Sequence, residues 1–126
     1  MLLTPERIQA IAWGITLALE SAGTLLLWPV VRPPALRLRR AVVTVLAVNA
    51  VTHPLFWLAL RSLAHPGPRA VLIAEAVVGA VEAGLYVWLL RLSPGRALGL
   101  SLALNLLSWA GGVLFWQHLL AWSFRN

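Results

Sequence analysis

Four long apolar stretches, divided by three short breaks, are the feature that most constrains this chain of 126 residues. The breaks hold a proline pair at 33–34, a His-Pro-Gly-Pro turn at 65–68 and a Ser-Pro-Gly turn at 93–95, all typical of helix ends. Each stretch exceeds the roughly 20 residues that cross the hydrocarbon core of a bilayer as a helix. The sequence therefore predicts one transmembrane domain over 1–126, with helices at about 5–31, 38–63, 69–92 and 95–123.

The composition agrees with an all-α polytopic membrane protein. Hydrophobic residues make up 60% of the chain, whereas a soluble domain of this size holds about 45–50%. Because the breaks are short, neighbouring helices must run antiparallel, so we expect an up-down bundle of four transmembrane helices. The chain has no cysteine, which excludes disulfides, thiol nucleophiles and iron–sulfur clusters. The N-terminus lacks the pattern of a cleaved signal peptide, so the first helix is expected to stay in the mature protein.

Arginine supplies all ten basic residues, and the formal net charge is +6. Such a charge can indicate nucleic-acid binding, but no helix carries a basic face that could enter a groove. We therefore expect the lipid bilayer, and not nucleic acid, as the partner of these side chains. Six arginines in the first and third loops outnumber four elsewhere, which predicts that these loops are cytoplasmic and both termini outside. The two groups are Arg32, Arg37, Arg39, Arg40, Arg91 and Arg96, and Arg7, Arg61, Arg69 and Arg125.

Each of the four stretches carries one polar stripe with helical spacing. An ionisable side chain near the bilayer centre costs at least about 2.5–3.5 kcal/mol, so these stripes should face the interior of the bundle. The stripes are Thr16, Glu20 and Thr24; Asn49, Thr52 and His53; Glu75, Gly79, Glu82 and Tyr86; and Ser101, Asn105, Ser108 and Gly112.

The depths of these side chains predict that the stripes converge. With a helix rise of about 1.5 Å per residue, Glu20 and Glu82 lie about 18–20 Å from the outer side, and His53 lies about 20 Å from the cytoplasmic side. We expect one intramembrane cluster, with Glu75 and Tyr86 above and below it on the third helix. The candidate site is Glu20, Asn49, Thr52, His53, Glu75, Glu82, Tyr86, Asn105 and Ser108.

The same residues resemble a known family. The motif Asn49-Ala50-Val51-Thr52-His53-Pro54, the pair Glu75 and Glu82 with Tyr86, and Asn105 with Ser108 are similar to motifs of small bacterial four-helix membrane proteins of uncharacterised function. Glu20 of the first helix also matches. Members of that family commonly carry Asn where this chain has His53. The resemblance implies a bacterial inner membrane but no activity.

Three functions are compatible with such a site. The first is binding or translocation of a cation, either a proton or a divalent metal held by Glu20, His53 and Glu82, because carboxylate and imidazole groups ligate metals and relay protons. A single four-helix chain is small for a transporter, so we expect a homodimer or larger complex, with the small-residue stripe Ala76, Ala80 and Gly84 as a contact face.

The second function is an intramembrane hydrolase acting on lipid or peptide. Glu20 or Glu82 would then be the general base and Asn49 or Asn105 would stabilise an oxyanion, although no known hydrolase motif is present. The third is a non-catalytic membrane subunit or scaffold, in which the polar stripes only join the helices to one another. The sequence alone leaves all three functions open.

Overall fold

The computed structural model describes residues 5–31, 37–63 and 67–123, and these form four helices with no strand among them. The helices are α1 (Pro5–Val31), α2 (Leu38–Arg61), α3 (Pro68–Leu90) and α4 (Pro94–Ser123). Each is long and apolar enough to cross a membrane. This confirms the predicted all-α architecture and makes the chain a multi-pass membrane protein.

Helix ends follow from local backbone chemistry. The helices α1, α3 and α4 begin at prolines, which fit the first turn because that turn needs no backbone N–H partner. The end of α2 lies at Arg61, two residues before the expected position, because Ser62 closes the last turn by donating its hydroxyl to the carbonyl of Ala59 at 2.7 Å. The end of α3 also comes two residues early, at Leu90, since Arg91 takes a left-handed conformation with φ 53°.

The four helices form a closed ring in chain order. Packing occurs between α1 and α2, α2 and α3, α3 and α4, and α4 and α1, while the described residues show no packing across the two diagonals. A three-residue turn, 91–93, joins α3 to α4. Side chains that point to the ring axis from opposite helices can therefore meet only in the centre of the bundle.

One end of this ring, which we call the sealed end, is filled by apolar side chains. It holds the C-termini of α1 and α3 and the N-termini of α2 and α4. Its core contains Trp28, Ala41, Val45, Val48, Tyr86, Leu90, Leu92, Ala97, Leu100 and Leu104. Trp28 is only 3% exposed, so this tryptophan packs into the core, although it is near the end of its helix.

Close approach between α1 and α4 depends on two glycines. A Cβ at Gly23 would lie 2.7 Å from Cδ2 of Leu104, and one at Gly111 would overlap Leu19. Any larger residue would push the two helices apart or force the leucines to move. The first and last helices are therefore joined more tightly than side chains of ordinary size would allow.

The outer surface of the bundle matches a lipid environment. Large apolar side chains such as Leu26, Leu72 and Leu106 are more than 60% exposed. The stripe Ala76, Ala80 and Gly84 is also exposed on α3.

The described arginines of the sealed end lie at its surface. They are all exposed: Arg37, Arg39, Arg40, Arg91 and Arg96. Arg40 donates its Nη2 to the carbonyl of Leu89 at 3.1 Å, a favourable position for a cation because it meets the negative end of the α3 dipole. Arg32 and Arg125, which enter the orientation prediction, lie outside the described residues.

Candidate functional site

Glu82 of α3 is the centre of a hydrogen-bond network that joins three helices. The hydroxyl of Thr52 on α2 donates to Oε1 at 2.8 Å. On the other side, Asn105 and Ser101 of α4 donate to Oε2 at 2.6 and 3.3 Å. Thr52 and Asn105 each donate a hydrogen bond to the carboxylate, and the single hydroxyl proton of Ser101 is shared with a second acceptor; donors at both oxygens are the pattern that an ionised acid, an acceptor only, requires. Glu82 is 1% exposed, so the network replaces the water that this group would otherwise bind.

The two α4 donors are themselves held in place. The hydroxyl of Ser101 also lies 2.9 Å from the carbonyl of Gly79, one turn from Glu82 on α3. The amide of Asn105 also contacts the carbonyl of Ser101 at 3.0 Å. A Cβ at Gly79 would lie 3.7 Å from the Ser101 hydroxyl, an ordinary van der Waals contact, so alanine would also fit at this position. The Glu82 site is therefore preorganised by backbone contacts as well as by side chains.

Glu20 of α1 differs from Glu82 in its hydrogen bonding. It is equally buried, at 1% exposed, yet neither of its carboxylate oxygens has a hydrogen-bond partner among the described residues. The hydroxyl of Ser108 lies nearby but donates to the carbonyl of Asn105 at 3.0 Å. Glu20 is also close enough to Glu82 for their charges to interact. A buried carboxylate without a partner is costly, so Glu20 needs a proton, water or another cation beside it.

Both acids line a cavity of about 80 Å³, which we call the chamber. That volume holds roughly two or three water molecules. All four helices contribute to its wall, which contains Thr16, Glu20, Asn49, Thr52, His53, Phe56, Glu75, Val78, Glu82, Asn105, Ser108 and Trp109. Three of the four acids of the chain therefore face one small space inside the membrane.

A wider cavity of about 730 Å³, which we call the vestibule, lies at the opposite end from the sealed core. The vestibule and the chamber share Phe56, Glu75, Ser108 and Trp109, so the two spaces adjoin at these residues. The vestibule continues past Gln9, Arg61 and Gln117 near the helix ends. We call this the open end of the bundle.

His53 accepts a hydrogen bond from a neighbouring tryptophan on the same helix. The indole Nε1 of Trp57 donates to Nε2 of His53 at 3.0 Å, one helical turn along α2. That nitrogen is thus occupied, and the described residues contain no group of three or more His, Cys, Asp or Glu side chains that could hold a metal ion. The proposed metal set of Glu20, His53 and Glu82 therefore has no geometric support in the described structure.

The structure brings together eight of the nine predicted site residues around the chamber. Tyr86 is the exception. It is fully buried in the apolar core of the sealed end, and its hydroxyl has no hydrogen-bond partner among the described residues. Asn49 lines the chamber, and its amide donates to the carbonyl of Val45 at 3.1 Å within its own helix. No hydrogen bond joins it to Glu82 among the described residues.

Several residues of the site were missing from the predicted set. Ser101, part of the α4 stripe, is one of the Glu82 donors. Trp57 could have been found from its spacing, because residues four apart on a helix are neighbours. Phe56 and Trp109 gave no sequence signal that distinguished them from lipid-facing aromatics.

Comparison with protein-family models, curated proteins and solved structures finds no match to this chain. The resemblance of its motifs to small bacterial four-helix membrane proteins therefore stays a prediction. Any functional assignment rests on the chamber and its surroundings.

Proposed function

We propose that the chamber reversibly binds a small cation, and that the occupant is a proton and not a divalent metal. One observation carries this proposal: the buried Glu20 faces the same cavity as Glu82, and both of its oxygens lack partners. Two ionised carboxylates side by side in the membrane interior would be costly. A positive charge between them removes that cost. The absence of a three-ligand group among the described residues favours a proton over a metal.

The division of roles follows from the different surroundings of the two acids. Glu82 is the fixed negative charge, because Thr52, Ser101 and Asn105 stabilise its ionised form. Glu20 is the group that gains and loses the proton, since the nearest donor to its charged form, the Ser108 hydroxyl, bonds the carbonyl of Asn105. The vestibule gives water and ions a route to Glu75 and Ser108, which border both spaces.

Infrared spectroscopy of the purified protein tests this role of Glu20. We expect a protonated-carboxyl C=O band that shifts in deuterated buffer, changes reversibly with pH and is lost in Glu20→Gln. Glu6→Gln is the matched control, because Glu6 is the one acid of the chain that precedes the candidate spans, and the band should persist there. A band that survives Glu20→Gln, or that never responds to pH, would contradict the proposal.

A scaffold is the second candidate, because the Glu82 network itself ties α2, α3 and α4 together. Stability separates the two functions. Glu82→Gln should lower the unfolding free energy by about 1–3 kcal/mol, because an amide N–H would then face existing donors. Glu20→Gln should cause no loss, since it removes a charge that has no partner. An equal loss in both variants, measured by unfolding in mixed micelles, would favour the scaffold.

We further propose that the protein lies in a bacterial inner membrane with the sealed end in the cytoplasm. The five exposed arginines described at that end support this orientation. The open end and its vestibule would then face outside. The exposed stripe Ala76, Ala80 and Gly84 supports a dimer in which small residues allow close helix contact.

A further inference from the structure

The vestibule is far larger than a proton site requires. Its volume of about 730 Å³ lies within the roughly 300–1,000 Å³ of pockets that bind organic molecules. The chamber below it has only about 80 Å³. A molecule large enough to fill the vestibule cannot enter the chamber, so the two spaces can hold different ligands.

Aromatic side chains form a large part of the vestibule wall. Phe56 and Trp57 of α2 form one side, with ring centroids 5.6 Å apart in an edge-to-face arrangement. Trp109 of α4 forms the other side. Leu60 and Val71 add aliphatic surface. The faces of indole rings attract cations, and the surrounding aliphatic groups favour an apolar body.

The charges of the vestibule are distributed unevenly along its depth. Glu75 lies at its inner boundary, and the chamber behind it adds Glu20 and Glu82. Arg61, the single arginine among the lining residues, donates its Nη2 to the side-chain oxygen of Gln9, and both residues lie towards the helix ends. The inner part of the vestibule is therefore acidic and aromatic, and the polar groups of Arg61 and Gln9 lie towards its mouth.

We propose that the vestibule binds amphipathic organic cations, with the positive centre beside Glu75 and the apolar groups against Trp57 and Trp109. Charge complementarity determines the sign of the ligand, because the acids are grouped at the inner boundary. The aromatic walls determine the chemical class of the ligand, because they favour a bulky onium ion over a small hydrated cation. This inference goes beyond proton binding in the chamber, and it holds whether or not Glu20 exchanges a proton.

Two probes of nearly the same shape and opposite charge test the proposal. Binding of tetraphenylphosphonium and of tetraphenylborate to the detergent-purified protein is measured by isothermal titration calorimetry, each corrected for its partition into protein-free micelles. We expect saturable binding of the phosphonium and none of the borate. Glu75→Gln should weaken phosphonium binding by about tenfold or more, and Trp109→Ala by about fivefold to thirtyfold.

Trp88→Ala is the matched control for Trp109→Ala. Trp88 is 74% exposed on α3 and is absent from the vestibule wall, so its removal should leave the affinity unchanged. Equal binding of both probes, or an affinity insensitive to Glu75→Gln, would overturn the proposal. Loss of phosphonium binding in Glu20→Gln with binding intact in Glu75→Gln would also overturn it, because Glu20 and not Glu75 would then supply the charge that holds the cation. Loss of the infrared response with phosphonium binding intact would overturn only the proton-binding function.

Discussion

The two ends of this bundle are built from the same four helices, yet they pack in opposite ways. At the sealed end, Leu100 and Leu104 of α4 are completely buried among residues of the other helices. At the open end, the same helix contributes Ser108 and Gly112 to the walls of a cavity of about 730 Å³. The difference shows that a transmembrane bundle can have a solid half and a hollow half without any change in helix order.

Side-chain size explains this difference. At the sealed end the small residues Ala41 and Ala97 let the helices approach while leucines fill the centre. At the open end the α4 positions Ser108 and Gly112 are too short to fill the space between the helices. A Cβ built at Gly112 meets no atom within 4 Å. The hollow half is therefore a result of the residue types at the inward positions and not of a break in the helices.

Water access should show the largest contrast between the two ends. The chain has no cysteine, so single cysteines can be introduced at Val113, which lines the vestibule, and at Val45, which is fully buried in the sealed core. A charged, membrane-impermeant thiol reagent should modify Val113→Cys on the order of a thousandfold faster, because Val45 becomes accessible only through costly opening. The rates are measured by mass shift in proteoliposomes and in detergent.

Val81→Cys controls for exposure to lipid, since Val81 is 49% exposed on the outside of α3. It should stay unmodified in liposomes because the thiolate does not form in hydrocarbon. Similar rates at the two introduced cysteines would show that the two ends do not differ in water access, and would contradict the distinction between a hollow and a solid half.

Packing energy should also distinguish the ends. Leu100→Ala removes a fully buried side chain from the sealed core and should lower the unfolding free energy by about 2–5 kcal/mol. Leu114→Ala, on the open half of α4 and 57% exposed, should cost less than about 1 kcal/mol because its side chain contacts few protein atoms. Unfolding in mixed micelles measures both variants. Comparable losses would mean that the open end is as well packed as the sealed end.

A smaller effect is expected at the contact between α1 and α4. Gly23→Ala would place a Cβ 2.7 and 2.9 Å from the leucine methyl groups of Leu104 and Leu107. After the gain in helix propensity, the net loss of unfolding free energy should be about 1 kcal/mol. Gly14→Ala, where a Cβ meets nothing within 4 Å, should be neutral or stabilising by up to about 1 kcal/mol. If both variants are stabilised, the close approach of the two helices does not constrain the bundle.

Much of the architecture could be predicted because proline and glycine mark the helix ends and apolar length marks the spans. Helical spacing also placed all nine candidate side chains at buried or half-buried positions, and eight of them line the chamber. The spacing could not show which side chains bond to one another. Glu82 accepts three hydrogen bonds and Glu20 accepts none among the described residues, although the sequence predicts the same depth in the membrane for both.

Whether a side chain near a helix end is exposed could not be predicted from its position alone. Trp28 lies three residues before the end of α1 and is 3% exposed in the sealed core, because Pro29 and Val30 take the outward positions beside it. The sequence suggested that His53 could bind a metal, but Trp57, one turn away, donates a hydrogen bond to its Nε2. Such outcomes depend on rotamers and on helix rotation about the bundle axis, which spacing alone does not determine.

The position of the chamber, between a solid core and an adjoining vestibule, has a kinetic consequence. Phe56, Glu75, Ser108 and Trp109 border both spaces, so an occupant that moves between the chamber and the vestibule passes these residues. An uncharged bulky molecule bound at those four residues would slow entry and escape through the vestibule by the same factor and would leave the affinity of the chamber unchanged. Equilibrium titrations would miss such an effect, and only exchange rates would reveal it.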